Sequence, residues 1–193
     1  EHRQRAVLAG VAAQLARDYP GRFGVFASLA LPDIEGSLRE IEYAFDVLGA
    51  DGIVLMTSYG DRWPGDAAFA PVFDELNRRK AVVYFHPTAA PCCEGLIPDV
   101  ADAVVEFLFD TVRAVTNLLY SGTLSRCSDI RYIFSHAGSA VPLLAGRISR
   151  LARITEAVQP RPPNRALPWL QRLYFYLAHP ARPGGAPPLS EVV

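Results

Sequence analysis

The run Ala81-Val82-Val83-Tyr84-Phe85 stops abruptly at His86-Pro87-Thr88. A continuous apolar, β-branched run bounded by breakers reads as a buried strand covered on both faces. The pattern returns in Ile130-Arg131-Tyr132-Ile133-Phe134-Ser135-His136-Ala137-Gly138, a second short apolar strand that delivers a histidine into a loop. In parallel α/β architectures, chemistry is placed at the C-terminal ends of the strands. Two strands that each end in histidine therefore predict two side chains converging on one mouth.

The rest of the chain alternates in the same manner. Residues from Arg3 to Tyr19 place Val7, Val11, Leu15 and Tyr19 at helical spacing and end at Pro20-Gly21. Phe23 to Leu29 reads as a strand, and Pro32-Asp33 opens a helix with Leu38, Ile41, Ala44, Phe45 and Leu48 on one face. Gly52 to Thr57 is the next strand, followed by a helix from Ala67 to Arg79 that turns Phe69, Val72, Phe73 and Leu76 inward. After the His86 strand comes a long loop, Pro87 to Asp99, and then a helix from Val104 to Leu124. A helix from Val141 to Val158 follows the His136 strand, and Leu173 to Leu177 is a fifth strand. Residues 1–178 are expected to form one domain and 179–193 a Pro/Gly-rich irregular tail.

Such alternation argues for a parallel sheet wrapped by helices. No Gly-x-Gly-x-x-Gly follows the first strand, which favours a barrel over a dinucleotide fold. A complete (β/α)8 barrel usually takes about 250 residues. The expected fold class is therefore α/β, an incomplete (β/α)8 TIM barrel. Tyr59, Asp61 and Trp63 lie on the loop after the second predicted strand, where a barrel places substrate contacts. A turn with an aromatic anchor is the competing reading of that loop.

Charge and cysteine usage exclude several classes. Lysine and arginine number 19 against 20 acidic residues, with no basic run, so no nucleic-acid partner is expected. No stretch reaches the roughly 18 to 20 apolar residues of a membrane span and none resembles a leader peptide, so a cytoplasmic protein is expected. Cys92, Cys93 and Cys127 are an odd set with one adjacent pair, which argues against a disulfide framework, and they lack the C-x-x-C spacing of a metal knuckle. Asp110 and Arg113, one helical turn apart, read as a solvated or structural ion pair in preference to a pair near the pocket. Thr57, Ser58 and Ser135 lack the partners of a nucleophilic triad.

The order FGVFASL, GIVLMTSYGDRW, FAPVFDELNRRKAVVYFHPT and FLFDTVRAVTNLLYSGTLSRCSDIRYIFSHAGSAVPLLAGR resembles the amidohydrolase-related carboxy-lyases, most closely the fungal 6-methylsalicylate decarboxylase group. The similarity covers residues 19–150 well and 168–177 weakly. The resemblance implies a metal-dependent barrel, with zinc or manganese, that removes CO2 from a small aromatic acid without an organic cofactor. It implies that His86 is a metal ligand, that His136 is the catalytic histidine beside the metal, and that the Tyr59 to Trp63 loop borders substrate.

The chain departs from that family pattern at identifiable places. It carries neither the H-x-H pair of the family's first strand nor its late-strand aspartate motif; the other two histidines are His2 and His179. Ser139 stands where the family usually has glycine. These departures imply a chain that begins after the first barrel strand and stops before the aspartate strand. Two alternatives follow: a catalytically silent truncated remnant of such an enzyme, or a metal-dependent hydrolase of the same superfamily. The open sheet edges of an incomplete barrel also suggest a homodimer.

Overall fold

Five strands lie side by side in chain order, β1-β2-β3-β4-β5, every neighbouring pair parallel. They are β1 (Phe26–Ser28), β2 (Gly52–Met56), β3 (Val82–His86), β4 (Arg131–Phe134) and β5 (Tyr174–Phe175) in a computed structural model that describes residues 2–152 and 166–177. Helices separate them: α1 (His2–Asp18), α2 (Ile34–Glu42), α3 (Ala70–Arg78), α4 (Asp102–Tyr120), α5 (Thr123–Arg126), α6 (Val141–Ala152) and α7 (Leu167–Leu170). A doubly wound sheet reverses its strand order at a switch point. Sequential order with parallel pairing throughout is instead the winding of a (β/α)8 barrel, here part of one.

Local chemistry explains several element ends. Asp33 caps α2 by accepting from the Gly36 N–H at 2.9 Å, and Pro71 sits in the first turn of α3. The helix expected to run on to Leu124 stops at Tyr120, because Gly122 takes a left-handed φ of 77° and closes α4 before the short α5 begins. The irregular tail expected over 179–193 and the last residues of the Val141 to Val158 helix lie outside the described residues. Among the described residues, no helix is long and apolar enough to cross a membrane.

The core is the alternate strand register packed on helices. Ala27, Ile53, Leu55, Val83, Phe85, Tyr132 and Phe134 are buried against Ile41 and Ala44, the Phe69 to Leu76 face of α3, and Val115, Leu118 and Leu119 of α4. Two expectations need correction. The first concerns α1, which buries Ala9 and Ala13 while Val11 and Leu15 are exposed. It packs on β1 through alanines, whose small side chains allow close approach. The second concerns β3, which is covered on one face rather than two. Val82, Tyr84 and His86 are only half-buried, on the same register as the exposed Phe26 and Met56. Tyr84 instead makes edge contacts with the rings of Phe26 and Tyr176.

One charged cluster ties the end of α3 to the helical turn Tyr43–Val47 that follows α2. Arg79 donates to Glu75 Oε1 at 2.6 Å and to both carboxylate oxygens of Asp46, at 2.7 and 2.8 Å. Hydrogen bonds from Arg78 first, and from Arg79 as well, hold the Glu75 carboxyl at about 2 against the opposing effect of desolvation. A carboxyl depressed in the fold stabilises it fully above its ordinary value near 4.5, and that contribution is lost as pH falls through about 2. Arg79→Ala is expected to cost about 1 kcal/mol in urea unfolding at neutral pH. The gap between variant and parent should narrow as the pH is lowered through that window; a constant gap would show that the Glu75 carboxylate is not the partner that matters.

Candidate functional site

Burial of Val83 and Phe85 fixes the opposite register of β3, so His86 emerges on the open face at the C-terminal end of the strand. In β4 the backbone N–H of Ser135 still donates to the Phe85 carbonyl at 3.2 Å, after which His136 leaves the sheet with a φ of 52°. The two imidazoles meet, with ring centroids 5.8 Å apart at 68°. Phe107 of α4 closes on His86 edge-to-face at 6.3 Å. Nδ1 of His86 lies 2.9 Å from the Pro87 carbonyl oxygen. A carbonyl only accepts, so Nδ1 carries the proton and Nε2 is the nitrogen with the free lone pair in the neutral ring.

The loop after β2 is more tied down than its sequence suggests. Tyr59 and Arg62 bridge through their backbones, the Tyr59 hydroxyl accepts from the Met56 N–H at 2.9 Å, and the Tyr59 ring packs edge-on against Phe69. Asp61 is exposed. The Trp63 indole N–H donates to Asp110 Oδ1 at 2.8 Å. The aromatic anchor of a turn thus describes Tyr59, while Trp63 leads to the aspartate that the sequence pairs with Arg113.

Asp110 is fully buried, and its nearest partners are neutral. Thr57 Oγ1 donates to Asp110 Oδ2 at 2.5 Å, whereas Arg113 Nη1 lies 3.9 Å from Oδ1 and 3.7 Å from Glu106. Thr57, which has no triad partners, is thus a hydrogen-bond donor to a buried carboxylate. The available signal was an aspartate in line with Ala114 and Leu118 on the buried face of α4.

The cysteines also correct an expectation. Cys92 and Cys93 form a vicinal disulfide in the turn that the Cys93 N–H closes on the Ala90 carbonyl, and Arg113 Nη2 lies 3.6 Å from Cys93 Sγ. Cys127 is free and buried. A cavity of about 620 Å³ lined by Lys80, Arg131, Arg172 and Tyr174 opens at the opposite, N-terminal end of the strands, away from the histidines. Among the described residues, no group of three or more His, Cys, Asp or Glu side chains could hold a metal ion. Zinc sites take at least three protein ligands, so the paired imidazoles alone do not complete one.

The segment holding His136 is strained. His136, Ala137, Gly138 and Ser139 all have positive φ, and Ser139 adopts φ 60°, ψ −126°, a region that suits glycine. Its Oγ is buried without a hydrogen-bond partner among the described residues. A Cβ on Gly138 would run into the Phe175 ring. Gly138→Ala is therefore expected to destabilise the fold by about 2 to 4 kcal/mol, from left-handed backbone strain plus overpacking. Ser139→Gly should act in the other direction, by about 1 kcal/mol. Urea unfolding of the two variants beside the parent checks both signs.

Comparison with known proteins agrees with this geometry. The amidohydrolase family model matches residues 5–183. Decarboxylase macB of Penicillium terrestre is 43% identical over 147 residues, covering 72% of this chain and 44% of the relative. The 6-methylsalicylic acid decarboxylase acuB of Aspergillus aculeatus is 38% identical over 135 residues, covering 68% and 41%. The chain thus spans under half the length of these relatives. Among solved structures, 5-carboxyvanillate decarboxylase LigW of Sphingomonas paucimobilis superposes with a TM-score of 0.81 at 22% identity, over 91% of this chain and 54% of that one. A dihydroxybenzoic acid decarboxylase from Polaromonas with bound manganese gives 0.75 at 21%, over 91% and 56%. Sequential parallel strands, a histidine at the ends of two of them, and a family match over nearly the whole length lead to one assignment: the chain belongs to the amidohydrolase family.

Proposed function

We propose that this chain carries one side of the active site of a non-oxidative carboxy-lyase acting on a small aromatic acid such as 6-methylsalicylate. The observation that carries the reading is the meeting of His86 and His136, 5.8 Å apart at the C-terminal ends of adjacent parallel strands. The decarboxylase relatives, among them a 6-methylsalicylic acid decarboxylase, support the substrate class.

The reaction replaces a carboxylate on a ring carbon by a proton. His136 in its imidazolium form transfers that proton to the carbon bearing the carboxylate. As the carbon–carbon bond breaks, its electron pair stays with the ring and CO2 departs neutral, so no electron acceptor is needed. His136 then regains a proton from solvent. A general acid positioned in this way is worth about 10²- to 10⁴-fold. In this reading Trp63, with its N–H committed to Asp110, offers substrate its ring, and the exposed Asp61 lies on the same loop, which Tyr59 anchors.

His86 is proposed as an imidazole donor to a divalent cation, zinc or manganese, through Nε2; manganese is bound in the Polaromonas neighbour. The described residues do not make a complete site for such an ion, and the proton transfer above relies on this chain's own groups.

The test is CO2 release from 6-methylsalicylate by the purified chain supplied with zinc or manganese. Turnover that falls at least about 100-fold in His136→Ala, with the response to added zinc or manganese lost in His86→Ala, is the expected result. No CO2 release with either metal would overturn the carboxy-lyase reading for this chain. Hydrolysis of aryl esters or amides without CO2 release would move it to the hydrolases of the same family.

A further inference from the structure

We propose that Asp110 is a positioning residue that acts through Thr57 to hold His86 in its Nδ1–H tautomer; the inference rests on the reading of His86 as a working group of the site. Three side chains carry the argument. Thr57 follows β2 and lies beside the end of β3, and its two polar groups grip the His86-Pro87-Thr88 segment at both ends. Its backbone N–H donates to the His86 carbonyl at 3.0 Å, and its hydroxyl oxygen accepts from the Thr88 N–H at 3.0 Å. Pro87, between these two points, has no N–H and a ring-locked φ. The backbone from His86 to Thr88 is thereby pinned at both ends, with the Pro87 carbonyl 2.9 Å from His86 Nδ1.

The hydroxyl can grip Thr88 only if its own proton points elsewhere. Asp110 supplies that direction. A carboxylate only accepts, so at 2.5 Å the Thr57 hydroxyl must donate to Asp110 Oδ2, and the oxygen lone pair is left facing Thr88. The other carboxylate oxygen is occupied by the donor-only indole of Trp63 at 2.8 Å. The sequence of bonds from Asp110 to Thr57 to Thr88 therefore has a single polarity. It ends on the segment whose carbonyl selects which nitrogen of His86 carries the proton. Outer partners that orient a histidine in this way typically change affinity or activity about 10- to 100-fold when removed.

The test reads the tautomer directly, by long-range ¹H–¹⁵N correlation of the imidazoles at a pH where the ring is neutral. His86→Gln identifies the His86 signals among those of the four histidines. The parent should show His86 as the Nδ1–H form. Thr57→Val, which keeps the shape and removes the hydroxyl, and Asp110→Asn should shift it toward the Nε2–H form or a mixture, while Thr57→Ser retains the parent pattern. Circular dichroism and thermal melting of each variant control for folding. Unchanged His86 signals in a folded Thr57→Val or Asp110→Asn chain would overturn the proposal, and so would unfolding of both variants, which would assign the bonds to stability alone. The readout needs neither metal nor substrate, so it is independent of the carboxy-lyase assay. A shifted tautomer in a chain that releases no CO2 would sink the function and keep the positioning role. Where turnover is observed, kcat should fall about 10- to 100-fold in Thr57→Val and be restored in Thr57→Ser.

Discussion

The pairing of β3 with β2 on one side and β4 on the other is the constraint on which the site depends. Parallel register aligns Met56 with His86 and Phe85 with Phe134, so the ends of three strands reach the same rim. Because side chains alternate, a slip of one residue would move the imidazole into the apolar core and a phenylalanine out of it. The aromatic packing opposes that slip: Phe85 stacks on Phe134 at 4.7 Å and on Tyr132 at 6.3 Å, all three buried. Each such ring contributes about 1.5 to 3 kcal/mol by leaving water. The position of the histidine is thus a consequence of where the phenylalanines go.

That logic also explains which features were legible in the sequence. Strand–helix alternation, the inner faces of α2 and α3 and the convergence of the two histidines follow from local periodicity, and periodicity is written in the residues themselves. The face of α1 is not legible in this way, because the large side chains at helical spacing are Val11 and Leu15, while a close approach to β1 selects Ala9 and Ala13. The open face of β3 is equally hidden, because valine and tyrosine suit a half-open surface as well as a closed one. The hydrogen bonds around Asp110 were invisible for a different reason: Thr57 and Trp63 lie 53 and 47 positions away from it, and each residue had a sufficient local explanation.

The two-residue β5 has an importance out of proportion to its length. The Tyr176 N–H donates to the Phe134 carbonyl at 2.9 Å, and the Ala137 N–H donates back to the Tyr176 carbonyl at 2.9 Å. The Phe175 ring fills the space over Gly138. The strained turn from His136 to Ser139 is therefore held between β4 and β5 rather than by its own preferences. Backbone in such regions persists only where its surroundings over-determine it. Ser139 shows the same from the other side: a residue with a Cβ keeps a glycine-like conformation in a turn closed by the Gly138 N–H on Ser135 and its own N–H on His136.

A buried carboxylate is an expensive choice for joining α4 to the strand ends, since an ion removed from water costs several kcal/mol unless its oxygens are occupied. Asp110 satisfies that condition with one neutral donor on each oxygen and keeps Arg113 beyond hydrogen-bond distance. An asparagine in its place would present a donor to one of two groups that must themselves donate. A hydroxyl could turn and reverse the order of the bonds. An acceptor-only group facing a donor-only indole and a threonine proton admits one pattern, and a satisfied network of that kind favours a single arrangement of the chain around it. The loop that begins at Thr57 is fastened to this carboxylate at Thr57 and Trp63, and the segment after His86 is fastened to the Thr57 hydroxyl through Thr88, so the geometry of the rim is decided beneath it, on α4, before any substrate arrives.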